Sequence, residues 1–265
     1  MKAYINGVQL YYKESGRGDA VLLVHGFPLN HTIWLPQARA LASRYRVILP
    51  DLRGHGRSEV PPGPYPMDLY ADDLAALLDH LQVERVILGG LSMGGYIAFA
   101  FYRKYMHRLR ALILADTRAG ADAPEGRERR EAMARLAEKE GAAAIAAQML
   151  PNLLGPYARE RRPALVARVQ NMMARTNPTG IAGALRGMAQ RPDATPLLPT
   201  IAVPTLILVG ESDALTPPAE AERMAAAIPG ARLTVIPQAG HLSPLENARA
   251  VNRAVLGFLA DLNQR

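Results

Sequence analysis

Val86-Ile87-Leu88-Gly89-Gly90-Leu91-Ser92-Met93-Gly94-Gly95-Tyr96-Ile97-Ala98 is the stretch that decides the fold. The apolar run ending at Gly89 reads as a strand, and Tyr96-Ile97-Ala98-Phe99-Ala100 opens a helix. A G-x-S-x-G pattern at such a junction is a strand, a sharp turn and a helix, with serine at the apex. Glycine at positions 90 and 94 lets strand and helix approach closely, and the strained turn projects the hydroxyl. The same turn sets Ser92 at a helix N-terminus, where free N–H groups stabilise developing negative charge. Ser92 is therefore the expected nucleophile.

Outward from this point the pattern repeats. Ala20-Val21-Leu22-Leu23-Val24, Arg46-Val47-Ile48-Leu49 and Ala111-Leu112-Ile113-Leu114 are short continuous apolar runs, as strands covered on both faces require. Thr205-Leu206-Ile207-Leu208-Val209 and Leu233-Thr234-Val235-Ile236 are of the same type. Between them, Tyr70, Leu74, Leu77, Leu78 and Leu81 recur at helical spacing. Asn6-Gly7 inside an alternating segment predicts a β-hairpin over about residues 3–13. The fold class is α/β: a mostly parallel twisted sheet with an N-terminal antiparallel hairpin and helices on both faces.

One stretch breaks the alternation. From about Arg118 to Thr195 there are only helical patterns: Pro124 to Glu140 capped by Gly141, Ile145 with Met149, Leu165-Val169-Met172, and Ile181-Leu185-Met188. Residues 118–195 are expected to form a four-helix lid between the sixth and seventh strands. Residues 1–117 and 196–265 form the core.

A serine hydroxyl needs a base. Among the six histidines, His80 and His107 read as surface residues. His25 and His55 read as structural residues of Gly-rich loops. His241, in Gln238-Ala239-Gly240-His241-Leu242, follows the last strand at the edge where open α/β sheets carry their sites. Its orienting acid is expected at Asp213, which gives the chain order Ser, Asp, His. Asp116 also ends a strand and competes with it. Glu211 is read as a hydrogen-bonding neighbour. The oxyanion donors are expected to be the N–H groups of Met93, after the nucleophile, and Phe27, since Pro28 has none.

The bulk properties set limits. The 265 residues are 49% apolar and 21% charged, as in an ordinary globular protein, and hold no apolar run long enough to span a membrane. Without cysteine there is no disulfide, thiol nucleophile or thiolate metal site. No signal-peptide core follows Met1, so the cytoplasm is the expected compartment. The net charge of +7 is almost all arginine. In Arg127-Glu128-Arg129-Arg130-Glu131 and Arg159-Glu160-Arg161-Arg162 it is interleaved with glutamate. That reads as solvated helix faces, not a nucleic-acid stripe.

Taken together, His25-Gly26-Phe27-Pro28, Asp51-Leu52-Arg53-Gly54-His55-Gly56-Arg57-Ser58, Gly90-Leu91-Ser92-Met93-Gly94-Gly95, Gly210-Glu211-Ser212-Asp213 and Gly240-His241 resemble the α/β-hydrolase superfamily over essentially the whole chain. Leu112-Ile113-Leu114-Ala115-Asp116-Thr117-Arg118 and the helical lid look like microbial carboxylesterases and 3-oxoadipate enol-lactonases. The resemblance implies a Ser92-His241-Asp213 triad acting on a small ester or lactone, with no metal and no organic cofactor. It leaves monomer or dimer open. Serine at position 92 excludes the relatives with an aspartate nucleophile. Carbon–carbon bond hydrolases, perhydrolases and non-catalytic small-ligand receptors share the framework. Met149, Met172 and Met188, with Phe27 and Trp34, suggest an apolar substrate pocket, which favours short- to medium-chain carboxylic esters. An enol-lactone with a free carboxylate would need an inward arginine, Arg118 or Arg191.

Overall fold

Asn6 and Gly7 both take positive φ, 47° and 80°, and turn the chain so that Ile5 pairs with Val8. This hairpin joins β1 (Lys2–Ile5) to β2 (Val8–Ser15). The computed structural model describes residues 1–262. Six further strands complete one sheet: β3 (Ala20–Val24), β4 (Arg46–Pro50), β5 (Val86–Leu91), β6 (Leu109–Ala115), β7 (Thr205–Gly210) and β8 (Arg232–Ile236). The spatial order is β1-β2-β4-β3-β5-β6-β7-β8. β2 pairs antiparallel with β4, and β4 through β8 run parallel. The mixed sheet expected from the sequence is the sheet observed.

The helices are α1 (Leu35–Leu41), α2 (Met67–His80), α3 (Met93–Tyr105), α4 (Pro124–Glu140), α5 (Ala142–Leu153), α6 (Pro156–Arg161), α7 (Pro163–Ala174), α8 (Pro178–Ala189), α9 (Pro218–Ala227), α10 (Ser243–Glu246) and α11 (Ala248–Leu262). Alternating strand residues feed two apolar layers, as the period of two demands. Leu22, Leu88, Leu112 and Ile207 pack with Leu74 of α2, Ile97 of α3 and Met224 of α9. Leu23, Ile87, Ile113 and Leu206 face the other way, against Leu41 of α1 and Val251 and Leu259 of α11.

Three details depart from the sequence reading. The segment between β6 and β7 holds five helices, not four. The addition, α6, has only six residues between Gly155 and Arg162, too few for an apolar period to show. β8 lies at the sheet edge with Val235 44% exposed, so it is not covered on both faces. Two of the glutamate-interleaved arginines are half-buried and bonded within the protein: Arg130 bonds Asp122, and Arg162 donates to the carbonyls of Leu245 and Glu246. No helix among the described residues is long and apolar enough to cross a membrane.

The strand order positions the site. β3 lies between β4 and β5, so the chain departs to one side after β3 and to the other after β5. Connections that diverge in this way open a crevice at the carboxyl ends of the strands.

Candidate active site

Ser92 sits between β5 and α3 with φ 54° and ψ −110°, a conformation rarely adopted by a residue bearing a Cβ. Close packing over-determines it. A Cβ at Gly90 would lie 2.2 Å from the Gly94 carbonyl oxygen, and one at Gly94 would lie 2.5 Å from the Val24 oxygen. The Ser92 N–H donates to Ala115 O at 2.9 Å, and the Thr117 hydroxyl donates to Ser92 O at 2.8 Å.

His241, in the loop after β8, is 3% exposed and lies with Nε2 2.8 Å from Ser92 Oγ. Its Nδ1 is 2.8 Å from Asp213 Oδ2 and 3.0 Å from Oδ1. An ionised carboxylate only accepts, so Nδ1 carries the proton and Nε2 is left to accept from the serine. Asp213 is itself fixed by the N–H groups of Leu215 and Thr216, at 2.9 and 3.0 Å, and by the Thr216 hydroxyl at 2.7 Å. Burial opposes its ionisation, but His241 and the bonds from Thr216 outweigh it and hold the carboxyl below its ordinary range.

Asp116 does not reach His241 among the bonds formed. At the end of β6, fully buried, it accepts from the Gly210 N–H at 2.8 Å and the Ser243 hydroxyl at 2.5 Å. It thereby ties the end of β7 to the segment that follows His241. Burial, with the nearby Asp213 charge, pushes its carboxyl well above the usual range. Glu211 accepts from the Gln238 N–H at 3.1 Å.

Glu246, the last residue of α10, is a further buried acid, 4% exposed. It accepts from the N–H groups of Gly240 and Leu242, on either side of His241, at 3.0 and 3.1 Å. Its other oxygen accepts from the Gly155 N–H, between α5 and α6, at 2.8 Å. The His241 N–H donates to Leu153 O at 3.1 Å. The histidine loop is thus bonded to the helices inserted between β6 and β7. Nothing in the local sequence marks Glu246, because its partners are backbone groups from two other segments.

The loop after β3 lies against the serine: a Cβ on Gly26 would be 3.3 Å from Ser92 Cβ. His25, fully buried below it, donates through Nδ1 to Gly26 O at 2.9 Å and accepts from the Leu52 N–H at 3.0 Å. His55 packs 5.3 Å from it, ring to ring. His80 and His107 are exposed. The N–H groups of Phe27 and Met93 have no acceptor among the described residues.

A cavity of about 540 Å³ reaches Ser92 and His241. Phe27, Arg118, Met149 and Met188 line it, together with Tyr96 and Thr216, which the sequence did not mark, and Arg129 and Arg130, expected on a solvated helix face. Trp34 and Met172 are not in its wall. Trp34 is 1% exposed and donates from Nε1 to Val24 O at 3.0 Å, which anchors its ring in the layer under β3. Met172 packs in that same layer with Val169. Apolar spacing placed both on an inward face, but inward here means the core. Arg191 is not in the wall either: its guanidinium is 2.7 Å from Asp122 and 4.1 Å over the Tyr96 ring.

The sequence matches the model of the α/β-hydrolase fold family over residues 19–248. The structure is similar to a thermophilic esterase from Thermogutta terrifontis, solved with malate bound, at a TM-score of 0.96 and 45% identity, covering 99% of this chain and 98% of that one. It is also similar to the enol-lactonase from Burkholderia xenovorans LB400, with a TM-score of 0.92 and 32% identity over 98% of this chain and 100% of the other. By sequence it is 30% identical to 3-oxoadipate enol-lactonase 2 of Acinetobacter baylyi over 258 residues, 97% of this chain and 95% of the relative. A strained strand-to-helix turn at Ser92, a switch-point crevice and these full-length likenesses have one reading: the chain belongs to the α/β-hydrolase fold family.

Proposed function

We propose that this hydrolase cleaves carboxylic esters through an acyl-enzyme, with Ser92 as nucleophile, His241 as general base and Asp213 as its orienting acid. The observation that carries the reading is the continuous relay from Asp213 through His241 to Ser92 Oγ, with contacts of 2.8 Å at both junctions, opening into the cavity. His241 removes the serine proton as Oγ bonds to the ester carbonyl carbon. The N–H groups of Phe27 and Met93 take the oxyanion, each worth about 10²–10³ in rate. Collapse of the tetrahedral intermediate breaks the carbon–oxygen bond, and His241 returns the proton to the departing alcohol. Water, activated by the same histidine, then releases the acid. Residues 118–195 act as a lid whose inner surface, Met149 and Met188 included, shapes the acyl and alcohol sites.

A lactone-hydrolase reading of the enol-lactonase type is favoured by one feature, the arginines in the cavity wall. The test is labelling with a fluorophosphonate probe, followed by a panel of alkyl esters and lactones. Ser92→Ala is expected to abolish labelling and to lower kcat by about 10⁶, as for a triad acting as a unit. More than a few per cent of residual activity would refute the assignment.

A further inference from the structure

Asp122 is the one acid among the residues that line the cavity, and three arginines share it. Its carboxylate lies 2.6 Å from Arg118 Nη2 and 2.7 Å from Arg191 Nη1, and it also pairs with Arg130. Burial opposes its ionisation, but Arg130 and Arg191 outweigh it and hold its carboxyl well below the ordinary range. One carboxylate therefore meets three guanidiniums. Arg129, a fourth, stands in the cavity wall and is exposed. It forms no ion pair with any described residue. Two acids of the same helix are turned elsewhere: Glu131 and Glu138 both pair with Arg186 of α8. Arg118 Nε is buried with no acceptor.

Such a cluster is an unneutralised excess of positive charge in the wall of the cavity that reaches Ser92. Guanidinium donors match a carboxylate's two oxygens, and a partly enclosed cavity weakens screening. The rest of the wall is apolar where Phe27, Met133, Met149 and Leu185 line it, which suits a short methylene chain. We infer that the substrate of this site is an ester that carries a free carboxylate, such as a monoester of a short dicarboxylic acid. The ester bond lies at Ser92, and the free carboxylate is held by Arg118, Arg129 and Arg130. The inference rests on the ester-hydrolase reading above. It applies to open-chain ester and lactone alike, because both forms present the same remote carboxylate to the arginines.

The experiment compares kcat/KM for monomethyl glutarate and methyl pentanoate, followed by acid release in a pH-stat. These esters have the same chain length and differ in the terminal carboxylate. The wild type is expected to favour the hemiester by roughly tenfold or more, and that preference is expected to fall as salt is raised to about 0.5 M. Glutarate itself should inhibit methyl pentanoate hydrolysis competitively. In Arg129→Ala, a surface change that breaks no ion pair, the preference should drop by about tenfold. In Arg118→Met it should drop further, with Arg118→Lys recovering part of it. A wild-type preference for methyl pentanoate, or a ratio unmoved in both Arg129→Ala and Arg118→Met, overturns the inference. If Ser92 takes the fluorophosphonate and methyl pentanoate is hydrolysed, the ester-hydrolase reading survives that failure. If neither ester is cleaved and Ser92 is unlabelled, the underlying reading falls.

Discussion

Replacing each of two buried aspartates by asparagine tests the proposal that Asp213 orients His241 as the base while Asp116 only joins loops. In Asp213→Asn the fold should persist, because the amide oxygen can still accept from the N–H groups of Leu215 and Thr216, now at 2.9 and 3.0 Å. The other position, 2.8 Å from His241 Nδ1, becomes an N–H donor. Two donors cannot face each other, so the imidazole shifts to the tautomer protonated on Nε2 and can no longer accept from Ser92. A change of this kind costs about 10⁴ in kcat, or roughly 5 kcal/mol of transition-state stabilisation. Asp116→Asn is the contrast. Burial already favours the neutral carboxyl there. The amide can keep the Gly210 N–H on its oxygen and donate its NH₂ to the Ser243 hydroxyl. Its effect should stay below about tenfold, since no partner of the relay is inverted. The assay is kcat on methyl butyrate in a pH-stat, with melting temperatures taken in parallel. The reasoning is refuted if Asp213→Asn keeps more than about a tenth of wild-type kcat, or if Asp116→Asn loses as much as Asp213→Asn.

Two further outcomes follow from the supports of the site. Glu246→Ala strands the N–H groups of Gly155, Gly240 and Leu242, each worth about 1–3 kcal/mol when buried without an acceptor. It should lower both the melting temperature and kcat, whereas Glu246→Gln, which keeps one oxygen, should fall between; equal melting of Ala variant and wild type would contradict this. Burial lowers His25 to about 4, and burial with the neighbouring His25 lowers His55 to about 3. Between those values and the unfolded value near 6.5 the unfolded chain binds more protons. Their stabilisation is therefore complete above about pH 6.5 and is lost as pH falls toward 4 and then 3. Asp116 and Glu246, raised by burial, act in the opposite sense, so the histidine part is read as a difference. The loss of melting temperature from pH 7 to 5 should be smaller in His55→Gln than in the wild type; an equal loss removes the assignment.

Local chemistry was readable along the chain. Asn6-Gly7 requires a tight hairpin, Gly141 with φ 83° closes α4, and the turn around Ser92 admits only glycine at its close contacts. Runs of apolar residues separated by helical spacing determine a parallel sheet, because a strand buried on both faces has no room for polar residues. Chain order also pointed to Asp213 and His241 without any contact being known. Periodicity cannot say which apolar face meets the cavity and which meets the core. For that reason Trp34 and Met172, inward by spacing, belong to the layer under the sheet. A six-residue helix such as α6 carries too little pattern to be seen.

The remaining features depend on segments far apart in the chain. Glu246 reaches Gly155, Asp116 reaches Ser243, and Asp122 gathers Arg118, Arg130 and Arg191. Hydrogen bonding and charge act over a few ångströms of space, and only packing brings such groups within that range. The sequence by itself therefore determined the sheet, the serine turn and the candidate nucleophile, base and acid. Only the tertiary structure decided which carboxylate touches His241 and which arginines line the cavity that reaches Ser92.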